Sequence, residues 1–369
     1  MKRIAVVYSV KDGFGGMYAF WRDLINSIPE YKFTFYCTVE PIPKSGFDYV
    51  YEKSLIGNFL SKINLQDSLG GLTALRYRKE LEKYDVVLFS QANAWPIARS
   101  LKNVRKINIL FGTARACANA WKGKNLAGVI LFKIKEFFEK KGASLCDKIL
   151  TISEFSKKHL VEENIKKPIV DCGLGVDLSR FSVKFNDKDL REKYDFDKKD
   201  FLLLFVGRWS PGKGNDIVTE TMKKVSNKKI KMVCVAKKPK DYKELKKYGI
   251  YFITGIPDTD LHKIYRMSDL FFFPSRYEGY GLVTAEAAAS SIPIITTSTG
   301  FPWKLRKNKV LSRYILPIDS DINVFKERIL ELYSDKKKRE LVVKEYLKNK
   351  DLFDLSISMD KFRKEIIGR

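Results

Sequence analysis

The sequence predicts an α/β fold built from two doubly wound, Rossmann-like domains facing each other across a cleft. Three observations carry this expectation. Apolar runs of strand length alternate with stretches of helical period almost throughout the 369 residues. After Phe181 the chain turns polar and charged (SVKFNDKDLREKYDFDKKD), as a domain linker does, and a fresh set of strands then begins at Phe201. A hydrophobic fraction of 45% is enough to bury two separate cores.

The first set of strands is expected at 3–9, 32–38, 85–90, 106–111, 148–152 and 169–172, each a short apolar run. Helical patterns lie between most of them, the first over 17–27. The second set is expected at 201–206, 231–236, 251–254, 269–273 and 292–296, with a helix over 259–267 that carries His262 on its surface. Two open sheets of this kind place a ligand at the carboxyl ends of their strands, so the cleft between the domains is the expected active site.

Several function classes are excluded. The longest apolar runs, such as 201–206 and 270–273, fall far short of the ~20 residues that cross a bilayer. The amino terminus runs straight into a strand without a signal-type apolar region, which places the protein in the cytoplasm. Cys37, Cys117, Cys146, Cys172 and Cys234 show no C-x-x-C pairing, and the chain holds 2 histidines, so neither a disulfide framework nor a metal site is expected. The 69 Lys and Arg outweigh the 44 Asp and Glu for a net charge of +25, which attracts polyanions of any kind. Eleven basic residues against three acidic ones fall within 101–150.

Three loops carry the chemistry. Asp12-Gly13-Phe14-Gly15-Gly16 lies between a strand and a helix, where glycines let backbone N–H groups approach an anion. Gly207-Arg208-Trp209-Ser210-Pro211-Gly212-Lys213-Gly214 approaches a Walker A loop, but Gly214 stands where Ser or Thr should hold magnesium, which disfavours an ATPase. What remains is a guanidinium and an ammonium at a helix start, able to hold a diphosphate without metal. The third loop, PSRYEGYGLVTAEAAA from Pro274, follows a buried-type strand and opens a small-residue helix. It sets Glu278 in the turn and Glu286 in the helix, around Gly279 and Gly281. Carboxylates there can accept from sugar hydroxyls while the amides and Lys213 take phosphates. A phosphorylated sugar suits the combination.

On these residues the sequence resembles the retaining nucleotide-sugar glycosyltransferases of family 4, which have the GT-B fold. The resemblance rests on Glu278 and Glu286 in the E-x7-E spacing, on GRWSPGKG, on the glycine loop, and on ISEFSKKHL followed by GVDLSRF. It implies that Arg208 and Lys213 bind the donor diphosphate and stabilise the leaving group. Glu286 would hold the ribose hydroxyls and Glu278 would sit at the transferred sugar. Gly279, Tyr280, Gly281, Leu282 and Val283 would contact sugar and phosphate through the backbone, with Gly15 and Gly16 approaching from the other domain. The implied domains are an acceptor-side domain over 1–182 with a terminal helix at 354–369 packing back on it, and a nucleotide-sugar domain over 183–353. Retention without an enzyme-bound intermediate and without a metal or other cofactor is implied likewise.

Four departures stand out. The histidine that many members carry after the 106–111 strand is missing, and Phe111-Gly112-Thr113 stands there. A glycine-glycine-x-x-Glu pattern is degraded to Thr299-Gly300-Phe301-Pro302-Trp303-Lys304. Leu174 replaces a common Asn before Gly-Val-Asp, and Lys237-Lys238-Pro239 replaces a glycine-rich turn.

The expected partners are a UDP- or GDP-linked sugar, a glycan or lipid-linked acceptor, and an anionic membrane surface, but not nucleic acid. The membrane expectation centres on Trp121 to Lys141, where Ala127, Ile130, Leu131, Ile134 and Phe138 form an apolar stripe with Lys133, Lys135, Lys140 and Lys141 around it. The same stripe is what a helix covering a sheet shows. Trp95, Trp121 and Trp303 could stack on sugars or serve packing. A GT-B-type sugar-nucleotide epimerase or hydrolase is the nearest competing function, and a nucleic-acid-binding protein a remote one.

Overall fold

The first strand, β1 (Lys2–Tyr8), is buried from Ile4 to Tyr8 without polar alternation, as a strand covered on both faces must be. It pairs on one side with β2 (Tyr31–Cys37), which pairs in turn with β3 (Tyr49–Val50). On its other side follow β4 (Val86–Ser90), β5 (Arg105–Leu110), β6 (Lys148–Thr151) and β7 (Ile169–Asp171). All pairs are parallel, and the order is β3-β2-β1-β4-β5-β6-β7. A second parallel sheet contains β8 (Phe201–Val206), β9 (Ile230–Val235), β10 (Ile250–Ile253), β11 (Leu270–Phe273), β12 (Ile294–Thr297) and β13 (Ile315–Leu316). Its order is β10-β9-β8-β11-β12-β13. The computed structural model describes residues 2–9, 16–40, 47–121, 126–182 and 187–368.

The chain forms two units, Met1–Gly173 with Ile357–Arg369, and Leu174–Ser356. The strand order reverses once in each, between β1 and β4 in the first and between β8 and β11 in the second. Reversal points of this kind open a crevice at the carboxyl ends of the flanking strands. The expected strands are present with edges shifted by a residue or two. The two-residue strands β3 and β13 were not expected, because two residues carry no pattern.

The first crossing between units falls at 173/174, before the polar stretch that composition singles out. The reason is local pairing: Val176 bridges Asp354, and the short helix Leu178–Ser182 packs on the helix Leu282–Ala289 of the same unit. Composition marks a solvated segment, whereas the crossing is fixed by contacts. The terminal helix Leu355–Ile367 packs mainly on the first unit. Phe362 meets Phe20 edge-on at 4.9 Å, and Arg105 donates to the carbonyls of Glu365 and Ile366 at 2.8 and 2.7 Å.

Two expectations are corrected here. His262 is buried, because its helix, Leu261–Met267, packs against Asp187–Lys193 on one side and Leu282–Ala289 on another. The helix Leu126–Ser144 buries Lys135, Glu139, Gly142 and Ala143, so its inward face is not the apolar stripe. Lys135 pairs with Asp67 at 3.6 Å and leaves the ring of exposed cations, while the Glu139 carboxylate accepts the Ala114 amide. Ile130 and Ile134 are exposed, and Leu131 and Phe138 are half-buried.

Candidate active site

The loop after β8 is compact. Gly207 has φ +142°, Trp209 packs edge-on against Phe205 at 5.4 Å and Phe252 at 5.0 Å, and Pro211–Lys213 forms a single 3-10 turn. Gly214 then takes φ +78° and starts α1 (Asn215–Val225). A side chain at Gly214 would overlap the Pro274 carbonyl, so glycine here allows the loop after β8 to touch the loop after β11. These are the two loops that flank the strand-order reversal.

Lys213 Nζ lies 2.6 Å from Glu278 Oε1, across that contact. Ser275 Oγ donates to the same Glu278 oxygen at 2.8 Å, so one carboxylate oxygen receives two donors. Arg276 holds the loops from outside, donating both guanidinium nitrogens to Asp216 at 2.7 Å, while its amide donates to the Gly212 carbonyl at 3.0 Å. Arg208 is exposed and forms no ion pair or hydrogen bond among the described residues. A guanidinium in that state is open to an anion.

Gly281, at φ +88°, starts α2 (Leu282–Ala289) without a side-chain cap. The amides of Leu282 and Val283 open the helix and precede its hydrogen-bond ladder, and the dipole there favours an anion. Glu286 sits one turn further on, and Tyr265 donates its hydroxyl to Glu286 Oε2 at 2.7 Å and to the Val283 carbonyl at 3.1 Å. Burial pushes the Glu286 carboxyl up to about 7, with Asp258 adding to the rise. The Tyr265 hydroxyl and the Arg180 charge work against it. Such a carboxyl is poised between two protonation states at neutral pH.

The turn 278–281 is buttressed from behind. Gly300 has φ +59°, and a Cβ there would overlap the Tyr280 carbonyl. Phe301 donates its amide to that carbonyl at 2.7 Å, and Tyr280 donates its hydroxyl to the Leu352 carbonyl at 2.7 Å. The degraded glycine pattern therefore keeps the one glycine this contact needs.

The structure thus brings Lys213, Glu278, Gly279, Tyr280, Gly281, Leu282, Val283 and Glu286 to the carboxyl edge of one sheet, with Arg208 beside them on the loop after β8. Gly16, in the other unit, begins the helix Gly16–Ser27, and Gly15 lies outside the described residues. Phe111 fills the position of the missing histidine and packs edge-on to Phe20 at 4.7 Å. Trp95 packs on Phe138 at 5.0 Å, and Trp303 lies under the Arg306 guanidinium at 3.6 Å. The Trp121 side chain lies outside the described residues. Tyr265, Ser275, Arg276 and Asp216 were missed by sequence reasoning. Among the described residues, no group of three or more His, Cys, Asp or Glu side chains is placed to hold a metal ion.

Known proteins resemble this chain in the sequence of one domain and in overall fold. Residues 186–349 match the family model for glycosyl transferases group 1. An uncharacterized glycosyltransferase of Methanocaldococcus jannaschii, MJ1178, is 28% identical over 212 residues, covering 55% of this chain and 54% of that protein. The putative glycosyltransferase YtcC of Bacillus subtilis is 29% identical over 199 residues, covering 47% of each. The chain spans about half the length of the curated relatives it matches. Among solved structures, sucrose-phosphate synthase of Thermosynechococcus elongatus superposes with a TM-score of 0.75 at 15% identity over 100% of both chains. HepE of Anabaena, solved in complex with UDP and glucose, gives 0.75 at 13% identity, again over 100% of both. Residues 186–349 carry a group 1 glycosyltransferase domain, and the two parallel sheets of the chain are those of the GT-B fold.

Proposed function

We propose that this chain is a retaining glycosyltransferase that moves a sugar from a nucleoside-diphosphate sugar, UDP- or GDP-linked, to a hydroxyl of a glycan or lipid-linked acceptor. The observation that carries the reading is the meeting of the loops after β8 and β11, where Lys213 reaches Glu278 at 2.6 Å beside the uncapped start of α2. Arg208 and Lys213 neutralise charge as it develops on the departing diphosphate, and the first amides of α2 add to this. Two cations at the leaving group, of which Lys213 is held in place by Glu278, do the work a metal does in other transferases, so no metal is required. Glu286 accepts from the ribose hydroxyls. HepE binds UDP and UDP-glucose, which makes uridine the first nucleotide to try.

Glu278 orients the transferred sugar rather than attacking it. Lys213 and Ser275 both donate to its Oε1, which holds the carboxylate in one orientation. Retention then follows from attack by the acceptor hydroxyl on the face the diphosphate leaves, with the hydroxyl proton passing to a diphosphate oxygen. Incubation with UDP-glucose or GDP-mannose, with and without an acceptor panel, tests this. A glycosylated product that keeps the donor's anomeric configuration supports the reading. Epimerised or hydrolysed donor formed equally without acceptor supports the competing one.

A second reading concerns location: the protein docks peripherally on an anionic membrane face in the cytoplasm through the helix Leu126–Ser144. It is favoured by the exposure of Leu126 (76%), Ile130 (53%), Ile134 (41%) and Phe137 (54%). No helix among the described residues is long and apolar enough to cross a membrane.

A further inference from the structure

A cavity of about 540 Å³ opens at the amino ends of β9 and β10, beside the last turn of α1. The donor loops lie at the opposite, carboxyl edge of the same sheet, the length of a six-residue strand away, or roughly 20 Å. Five lysines line the cavity, Lys223, Lys228, Lys231, Lys246 and Lys247, and no acidic side chain among the described residues does. Two of the five are already neutralised, Lys231 by Asp200 at 2.6 Å and Lys223 by Glu220 at 2.8 Å. Lys228, Lys246 and Lys247 are exposed and form no ion pair with a described carboxylate.

Helix electrostatics explain only part of this arrangement. Cations in the last turn of α1 offset the negative end of its dipole, and Lys223 and Lys224 occupy that turn. Lys246 and Lys247 come from a separate three-residue 3-10 turn, Lys246–Tyr248, and Lys228 from the loop before β9. Three uncompensated ammonium groups around one concavity repel one another and focus a positive field into it. Two aromatic rings complete the wall. Lys246 Nζ lies 5.7 Å from the Tyr251 ring centroid and Lys223 Nζ 5.3 Å from that of Tyr248, so the cations are held at the rim instead of extending into solvent.

We propose that this cavity is a second anion site, separate from the donor site, that binds a small anion carrying two or more phosphoryl groups. Several ammonium groups on one curved wall match several phosphoryl groups on one compact ligand, whereas a single phosphate would leave cations unpaired.

The inference does not depend on the transferase reading, and its test needs no turnover. Tripolyphosphate is titrated at constant ionic strength into the Arg208→Ala/Lys213→Ala variant, which removes the donor-site cations, with calorimetry and thermal shift as readouts. Saturable binding is expected. Adding Lys228→Gln, Lys246→Gln and Lys247→Gln should weaken it at least tenfold, with the thermal melt of the ligand-free protein unchanged. Lys247→Glu alone gives the same reading if the combined variant does not fold. No saturable binding in the Arg208→Ala/Lys213→Ala variant, or equal affinity after the lysine substitutions, overturns the proposal. A single-stranded oligonucleotide is the control for mere charge, and tighter binding of it that is lost in the same lysine variant overturns the small-anion assignment.

Discussion

Lys213 Nζ stands 2.6 Å from Glu278 Oε1, and this pair joins the two loops on either side of the strand-order reversal. Both side chains are largely withdrawn from water, so each is the other's main compensation. In the proposed reaction, a diphosphate entering beside them would offer Lys213 a second anion and leave Glu278 to the sugar hydroxyls.

Substituting Lys213 by Ala is therefore expected to act twice, removing a phosphate ligand and leaving the Glu278 charge half-buried without its partner. Arg208→Ala removes only the ligand, since Arg208 has no partner among the described residues. Each charge-assisted contact is worth about 1.5–3 kcal/mol, so both variants should bind a nucleoside diphosphate roughly 10- to 150-fold more weakly. Only Lys213→Ala should also lower the Tm of the ligand-free protein. Calorimetry with UDP and a thermal melt check both halves, and unchanged diphosphate affinity in both variants overturns the assignment. Turnover should survive EDTA.

The Glu286 carboxyl, raised to about 7 chiefly by burial, gives two pH signatures. An unfolded Glu titrates near 4.3. Between that value and about 7 the folded chain holds a proton that the unfolded chain has released, so stability falls as pH rises through this window and levels off above it. Glu286→Gln should remove this part of the fall, and melts at pH 5 and pH 8 measure it. If the carboxylate form accepts from the ribose, nucleotide-sugar affinity should rise as pH rises through 7 in the native chain and stay flat in Glu286→Gln. Tyr265→Phe removes the hydroxyl that favours the ionised form and should move that rise to higher pH. Glu278→Gln should instead lower turnover more than binding, because contacts at the transferred sugar change as its bond breaks.

Gly214 and Gly300 both hold left-handed backbone and both face a carbonyl where a Cβ would go. Ala at either position costs about 1–2 kcal/mol from the backbone alone, before the overlap with the Pro274 or Tyr280 carbonyl is relieved. The expected outcome is a Tm lower by several degrees and a loss of donor binding larger than the stability loss explains, because the displaced turns carry Lys213 and Glu278. Gly212→Ala is the control: its Cβ meets nothing within 4 Å and should leave both readouts near native.

The central strands were legible because each is an uninterrupted apolar run, and the loops after β8 and β11 because their glycines and charges sit at strand ends. Tyr265 was not legible: it reaches Glu286 from a helix 21 residues earlier whose apolar pattern reads as core. Ser275 and the Arg276–Asp216 bridge were hidden for the same reason, since only the fold brings the loops after β8 and β11 together. Periodicity located the stripe on Leu126–Ser144 but could not say which way it faces. That depended on Asp67 and the Ala114 amide, which satisfy Lys135 and Glu139 on the inner side.

The exposed face of that helix shares Ala127, Ile130 and Ile134 with the expected stripe, and it carries the membrane prediction. Leu126, Ile130, Ile134 and Phe137 recur at helical spacing on the exposed side, and Lys133, Lys140 and Lys141 are exposed near them. Lys141 Nζ sits 5.0 Å from the Phe137 ring centroid, so a cation and an apolar ring share one end of the patch. A helix with this arrangement can lie in the headgroup layer, with its apolar side chains inserted and its lysines at the anionic surface, where each lysine contributes about 1 kcal/mol at low salt. The protein should float with vesicles containing phosphatidylglycerol at low salt and less at high salt. Ile130→Glu/Ile134→Glu should abolish flotation without a large change in Tm, because both side chains are already in water. Substitution of Leu131 and Phe138, which are half-buried, should instead cost stability. Failure of the folded native protein to float at low salt, or flotation unchanged in the double variant, removes this helix as the anchor.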